Sequence, residues 1–205
     1  MFNPAPFKPL VESAPKRRYR KGTIVIQEGD TGNTIYAVIS GSVRSFSASW
    51  DDKEITFGVY GPGALFGELS LDGEPRSASV ETLETTECAV IEHDHLVKYL
   101  VANPIFSLEL VKLVVLRARQ ATQAARNMAL LDVYGRVKFF LENSPYRDSD
   151  GVRVLSERQT QRRIAHQVGA SREMISRIFK DLENGGYITV QRGNIEISKK
   201  LPVHW

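Results

Sequence analysis

With a single cysteine, Cys88, this 205-residue sequence cannot build an internal disulfide framework, a four-cysteine zinc site or a four-cysteine iron–sulfur cluster from one chain. Cys88 sits in the apolar run Glu87-Cys88-Ala89-Val90-Ile91 and reads as a small core residue. The four histidines form no ligand set; His93 and His95, two apart among acidic neighbours, read as a surface turn. No apolar run reaches the roughly 18 residues that cross a bilayer, and the first seven residues lack a basic-then-apolar signal pattern. These absences predict a cytoplasmic protein without a membrane partner. No nucleophile–base pair or metal set occurs at a recognisable spacing, so neither catalytic residues nor metal ligands are assigned and an enzyme is not expected.

What is present is ordinary for a globular chain, with 42% hydrophobic and 25% charged residues, enough for one large or two modest domains. Charge is unevenly spread. Residues 1–135 hold 14 Lys and Arg against 16 Asp and Glu, whereas residues 136–205 hold 13 against 8, so a basic C-terminal part suited to a polyanion follows a near-neutral N-terminal part.

Between Arg17 and Glu92 the β-branched and aromatic runs at 23–26, 34–39, 42–46, 55–60, 78–82 and 88–91 predict short strands, punctuated by Glu28-Gly29-Asp30, Ser40-Gly41 and Gly61-Pro62-Gly63. Six or more such strands argue for a sandwich or barrel. Beyond Pro104 the period changes. Leu108, Val111, Val115, Ala118, Thr122 and Ala125 follow the 3,4,3,4,3 spacing of a coiled-coil seam, in a helix expected to run to about 130. A helix packed on its own domain is the alternative. The small seam residues permit close approach of a second copy. Asp132 is expected to cap a further helix that stops at Asn143-Ser144-Pro145, followed by a polar loop from Tyr146 to Gly151.

Residues 160–180 read as a helix-turn-helix. Thr160 caps a first helix with Ile164, Ala165 and Val168 inward, Gly169 makes the turn, and Ser171 caps a second helix buried through Ile175, Ile178, Phe179 and Leu182. That leaves Arg172, Glu173, Ser176, Arg177 and Lys180 outward. Arginine donates two bonds to guanine and glutamate accepts from cytosine, so this face suits the major groove, while Thr160, Arg162 and Ser171 near helix starts suit phosphates. An intrahelical Glu173–Arg177 pair on a solvated face is the plainer reading. Runs at 187–190 and 194–197 around Gln191-Arg192-Gly193 add a hairpin, a wing.

The segment Phe66-Gly67-Glu68-Leu69-Ser70-Leu71-Asp72-Gly73-Glu74-Pro75-Arg76-Ser77-Ala78 combines a glycine for close backbone approach, an Arg-Ser pair for an anion, and a carboxylate suited to sugar hydroxyls. Alone, it is also compatible with a β-turn bearing a surface arginine. Gly-Glu-Leu followed by Pro-Arg-Ser-Ala resembles the phosphate-binding cassette of cyclic-nucleotide-binding domains. Val-Gly-Ala-Ser-Arg-Glu with Arg177 resembles the recognition helix of the cyclic AMP receptor protein (Crp/Fnr) family of bacterial transcription regulators.

The resemblance covers nearly the whole chain. It implies an α+β fold: a cyclic-nucleotide-binding, jelly-roll-like β-roll over 1–103, a dimerisation helix and hinge over 104–130, and a winged helix-turn-helix over 131–205. It implies a homodimer on double-stranded DNA, with RNA polymerase as a candidate partner, controlled by an effector, cyclic AMP or a related nucleotide, in place of a cofactor. The family's pocket positions carry over to Gly67, Glu68 and Leu69 for ribose and backbone contacts, Arg76 and Ser77 for the cyclic phosphate, and Arg117 on the helix. Thr122 matches a hydroxyl that reaches the adenine, partly from the second subunit. Two departures stand out: Ala121 replaces a hydroxyl-bearing residue, and the spacer from Gly67 to Arg76 is a residue or two shorter than usual.

Overall fold

The computed structural model describes residues 5–51, 53–149 and 152–203. Two compact units divide the chain, Met1–Trp50 with Thr56–Ala121 and Asp51–Ile55 with Thr122–Trp205. In the N-terminal part, the strands are β1 (Lys16–Tyr19), β2 (Ile24–Ile26), β3 (Thr34–Ser40), β4 (Val43–Ala48), β5 (Glu54–Tyr60), β6 (Leu65–Phe66), β7 (Ser79–Thr82) and β8 (Thr86–Glu92). They form two four-stranded sheets ordered β1-β8-β3-β6 and β2-β7-β4-β5. The β-branched runs predicted as strands are β2, β3, β4, β5, β7 and β8, each within a residue or two; β1 and β6 add to them.

Alternation along β8 explains how the first sheet serves two cores. Ala89 and Ile91 face Leu10 of α1 (Lys8–Ser13), Leu96 of α2 (His93–Ala102), and Phe106, Leu110 and Leu113 of α3 (Pro104–Leu130). Cys88, one residue out of phase, joins Ile26, Val38, Val43, Phe66 and Val80 in the other core. His93 and His95 therefore begin a helix. The expected surface turn is corrected, because Leu96 of the same segment anchors α2 in the core.

Helices α2 and α3 meet at a bend of 119° at Asn103-Pro104. Proline supplies no N–H at the start of α3, Asn103 Nδ2 donates to the Tyr99 carbonyl at 2.9 Å, and Ser107 Oγ donates to the Leu100 carbonyl at 2.9 Å. The 27-residue α3 is apolar on two faces. Phe106, Leu110 and Leu113 are buried, while Leu108, Val111 and Val115 of the predicted seam stand exposed. Among the described residues no single helix is long and apolar enough to cross a membrane.

The C-terminal part holds α4 (Val133–Asn143), α5 (Gln161–Val168) and α6 (Arg172–Asn184), with β9 (Tyr146–Ser149), β10 (Val152–Leu155), β11 (Ile188–Gln191) and β12 (Asn194–Ile197). The three caps form as the sequence predicts: Asp132 accepts from the Gly135 N–H at 2.7 Å, Thr160 from Arg163 at 3.1 Å and Ser171 from Met174 at 3.2 Å. Val137, Leu141, Ile164, Ile175, Phe179, Leu182, Ile188 and Ile195 share one core. The predicted polar loop from Tyr146 is corrected to strand β9, which with β10 extends the wing into a sheet ordered β11-β12-β10-β9. Gly151, at that loop's end, and residues 1–4 lie outside the described residues.

Cys88 has no solvent exposure, and burial, helped by the charge of Glu87, pushes its thiol up to about 11. The native state thus retains a proton that the unfolded chain releases, and stability falls as pH rises through the window from about 9 to about 11. The loss expected from this thiol is about 3 kcal/mol. Urea unfolding of wild type and Cys88→Ala across that window checks it: the variant should show a shallower decline, and parallel curves would contradict the assignment.

Candidate functional site

The cassette begins with Gly67, whose φ of 83° is in the left-handed region that glycine enters without strain. A Cβ there would lie 3.0 Å from Arg76 Nη1, so the missing side chain also leaves room for the guanidinium. Gly32 does the same from the opposite side, where a Cβ would sit 2.8 Å from Arg76 Nη2. After Gly67 the chain turns as a short 3-10 helix, Glu68–Asp72, which buries Glu68 and Ser70 and exposes Leu69.

Arg76 is 7% exposed and is pinned at both backbone and side chain. Its N–H donates to the Asp30 carbonyl at 2.8 Å and its carbonyl accepts from the Gly29 N–H at 2.9 Å, which fastens the cassette to the β2–β3 turn. Nη1 donates to the Gly67 carbonyl at 2.9 Å and Ser70 Oγ at 2.8 Å; Nη2 donates to the Thr34 carbonyl at 2.7 Å and Thr34 Oγ1 at 3.2 Å. All four acceptors are neutral. Burial lowers the Arg76 guanidinium below its ordinary value, opposed by the nearby Tyr36 and Glu68.

Glu68 is 3% exposed. Its Oε1 forms an ion pair with Arg117 Nη1, but neither carboxylate oxygen accepts a directed hydrogen bond from the protein. Arg117 reaches it because it continues the inward series 106, 110, 113 at spacings of 4, 3 and 4, which keeps one face of α3 toward the β-roll. The same guanidinium donates to the Leu65 carbonyl and lies 4.9 Å from the Tyr60 ring centroid. Tyr60 is in turn 3.2 Å from Ser45 Oγ.

Of the pocket positions expected from sequence, Gly67, Glu68, Arg76 and Arg117 are thus brought together. Leu69 and Ser77 are exposed beside them, and Thr122 is exposed on α3. Thr34, Ser70, Gly32 and Tyr60 complete the bonding and were not anticipated. Thr34 and Gly32 lie more than 40 residues from Arg76 in the chain, so no local pattern marks them; only Ser70, three residues after Gly67, lay within the segment the sequence singled out.

On the second unit, Thr160, Arg162, Ser171, Arg172, Glu173, Ser176, Arg177 and Lys180 are all exposed. Ile175, Ile178, Phe179 and Leu182 of α6 are buried in the core, so its other face is displayed on a packed support. Two capped helices, joined at Gly169 with φ of 62° and flanked by a sheet, form a winged helix-turn-helix.

Comparison with known proteins agrees with both units. Residues 16–103 match the model for the cyclic nucleotide-binding domain, and residues 135–200 match the Crp-like helix-turn-helix domain. The cAMP-activated global transcriptional regulator CRP of Haemophilus influenzae is 33% identical over 178 residues, covering 83% of this chain and 78% of that protein. The cyclic AMP receptor protein of Thermus thermophilus is 30% identical over 183 residues, 89% and 83% of the two chains. The structure of the c-di-GMP responsive global regulator CLP of Xanthomonas campestris has a TM-score of 0.83 at 26% identity, covering 96% of this chain and 100% of that one.

Together the two domains define a transcription regulator that joins a DNA-binding helix-turn-helix to a domain for a small-molecule effector, not a cofactor. The chain belongs to the Crp/Fnr family.

Removing Arg117 would leave the buried Glu68 carboxylate without its ion-pair partner, with only the Arg76 charge nearby. Arg117→Ala is expected to cost about 3 kcal/mol in urea unfolding, and adding Glu68→Gln should recover a large part of it. A cost below about 0.5 kcal/mol for Arg117→Ala would show that the pair carries no such strain.

Proposed function

We propose that this chain is a cytoplasmic, homodimeric transcription regulator whose grip on DNA is set by a cyclic nucleotide, cyclic AMP first among the candidates. The observation that carries this reading is the Glu68 carboxylate, closed off from water, with Oε1 paired to Arg117 and Oε2 accepting no hydrogen bond from the protein. Such an oxygen is costly unless donors arrive from elsewhere, and ribose hydroxyls are donors of the right kind. Beside it, Arg76 offers a guanidinium whose partners are all neutral, so its positive charge is open to compensation by a phosphate.

In this reading Gly67, Glu68 and Leu69 line the ribose, Arg76 and the exposed Ser77 take the cyclic phosphate, and Thr122 serves the base. Functional boundaries fall near 103/104 and 130/131. A ligand that donates to Glu68 competes with Arg117 for the same carboxylate, and Arg117 stands on α3. Ligand occupancy is thereby transmitted to the helix whose seam pairs the two subunits. The paired recognition helices then meet two half-sites one DNA turn, about 34 Å, apart. Arg172, Glu173, Ser176, Arg177 and Lys180 address base edges, and Thr160, Arg162 and Ser171 address phosphates. RNA polymerase is a candidate protein partner of such a regulator.

A second reading is a regulator with a different effector or with none. Its support is Ala121, which removes a hydroxyl, together with the short spacer and the inward engagement of Arg76. The similar CLP regulator responds to c-di-GMP. Fluorescence anisotropy on a palindromic TGTGA-type duplex, with and without cyclic AMP, separates the two. The leading reading expects specific binding only with ligand, and a Glu68→Ala variant that loses this response; equal binding in both conditions favours the second.

The seam is tested separately. Leu108, Val111 and Val115 are exposed apolar residues in one line, so a charge among them opposes pairing. Val115→Glu is expected to convert a sedimenting dimer into a monomer. If the variant keeps the wild-type mass, self-association does not use this face.

A further inference from the structure

Strand β5 ends in Gly58-Val59-Tyr60, and the alternation of a strand puts Gly58 and Tyr60 on one face. A Cβ on Gly58 would lie 2.7 Å from the Tyr60 hydroxyl oxygen, so the bare glycine leaves room for the phenol to fold back over it. The Tyr60 hydroxyl also shares a hydrogen bond of 3.2 Å with Oγ of Ser45, a buried residue of the neighbouring strand β4. The ring itself is half-buried and packs on the core of Val38, Val43, Phe66 and Val80. Strand, hydroxyl and core thus fix its orientation. Over the ring lies Arg117, with Cζ 4.9 Å from the centroid. That guanidinium also pairs with Glu68 and donates to the Leu65 carbonyl, so a single planar group separates the Tyr60 ring from the carboxylate whose Oε2 accepts no hydrogen bond from the protein.

We propose that Tyr60 is the platform on which the effector's purine base stacks, and that the Arg117 guanidinium covers this platform until the effector arrives. The inference rests on the effector reading above and deepens it, by assigning the base a chemical class and a residue that selects it. All the residues involved belong to the first unit.

Connectivity within the ligand is the first support. In a nucleotide the base is joined directly to the ribose, so sugar hydroxyls on Glu68 leave the base beside that carboxylate, and Tyr60 is the ring that Arg117 links to it. Shape is the second. A guanidinium and a base are both planar and both held by an aromatic face, so the surface that carries one accepts the other. Stacking gains with overlapping area, and a two-ring purine covers more of a phenol than a one-ring pyrimidine does. The third support is what Arg117 loses. Its contact with Tyr60 is the one a ligand can exchange without taking away a hydrogen-bond acceptor, and ribose and base together free it from Glu68 and Tyr60 at once, leaving the Leu65 carbonyl.

The test titrates cyclic AMP, cyclic GMP, cyclic CMP and cyclic UMP calorimetrically into wild type, Tyr60→Leu, Tyr60→Phe and Ser45→Ala. Thermal unfolding establishes that each variant is folded at the titration temperature, and Tyr60→Met, closer in length, replaces Tyr60→Leu if the latter is not. Wild type should bind the purine nucleotides about tenfold more tightly than the pyrimidine ones. Tyr60→Leu should lose that preference, its purine affinity falling to the pyrimidine level. Tyr60→Phe and Ser45→Ala keep the ring and should keep the preference.

A preference that survives the loss of the ring, or that wild type never shows, overturns the platform and leaves the effector reading standing. Loss of the preference in Tyr60→Phe or Ser45→Ala overturns it too, since the hydroxyl pair and not the ring face would then carry recognition. An equal fall in affinity for all four nucleotides in Tyr60→Leu marks the ring as mere support for the pocket. If wild type binds none of the four, the effector reading fails and the platform fails with it.

Discussion

A carboxylate shut away from water must be answered by a positive charge, and the answer to Glu68 comes from Arg117, some fifty residues along the chain. That single ion pair ties the cassette to α3. It requires the cassette to turn inward immediately after Gly67, and it requires α3 to present position 117 on the same face as Phe106, Leu110 and Leu113. The exposed seam on the opposite side then follows from helical geometry. One helix thereby carries a polar contact with the cassette on one face and an exposed apolar stripe on the other.

Arg76 does a different job at the other end of the cassette. Its guanidinium closes the loop by bonding the Gly67 carbonyl and Ser70 and by reaching across to Thr34, while its backbone holds the Gly29-Asp30 turn. Two glycines are needed because the arginine lies so close to the chain on either side. The result is a buried cation with neutral partners next to a buried anion with an unmet oxygen, a polarity that suits a ligand bearing a phosphate and hydroxyls on one small frame.

Much of this was legible in the sequence where the signal is local. The caps at Asp132, Thr160 and Ser171 depend on residues three apart, and the β-branched runs of β3, β4 and β8 declare themselves without reference to a partner. What was missed depends on pairing. β1 is mostly basic and β9 is polar, so neither has strand propensity of its own; each is a strand because β8 or β10 supplies the ladder. The same holds within the pocket. Gly67, Glu68 and Arg76 stand out as a motif, but the partners that fix Arg76, above all Thr34, come from a distant strand whose threonine has no distinguishing neighbours.

The spacer between Gly67 and Arg76 and the stretch between Phe106 and Arg117 respond oppositely to changes in length. The first is a turn held at its two ends, so losing a residue alters only how the loop bows between fixed points. The second is a helix whose phase turns by about 100° with each residue. A deletion there would swing Arg117 away from Glu68 and carry the whole exposed stripe round with it. Insertions and deletions in this chain can therefore reshape the cassette from the loop side, while the helix that carries Arg117 must keep its length.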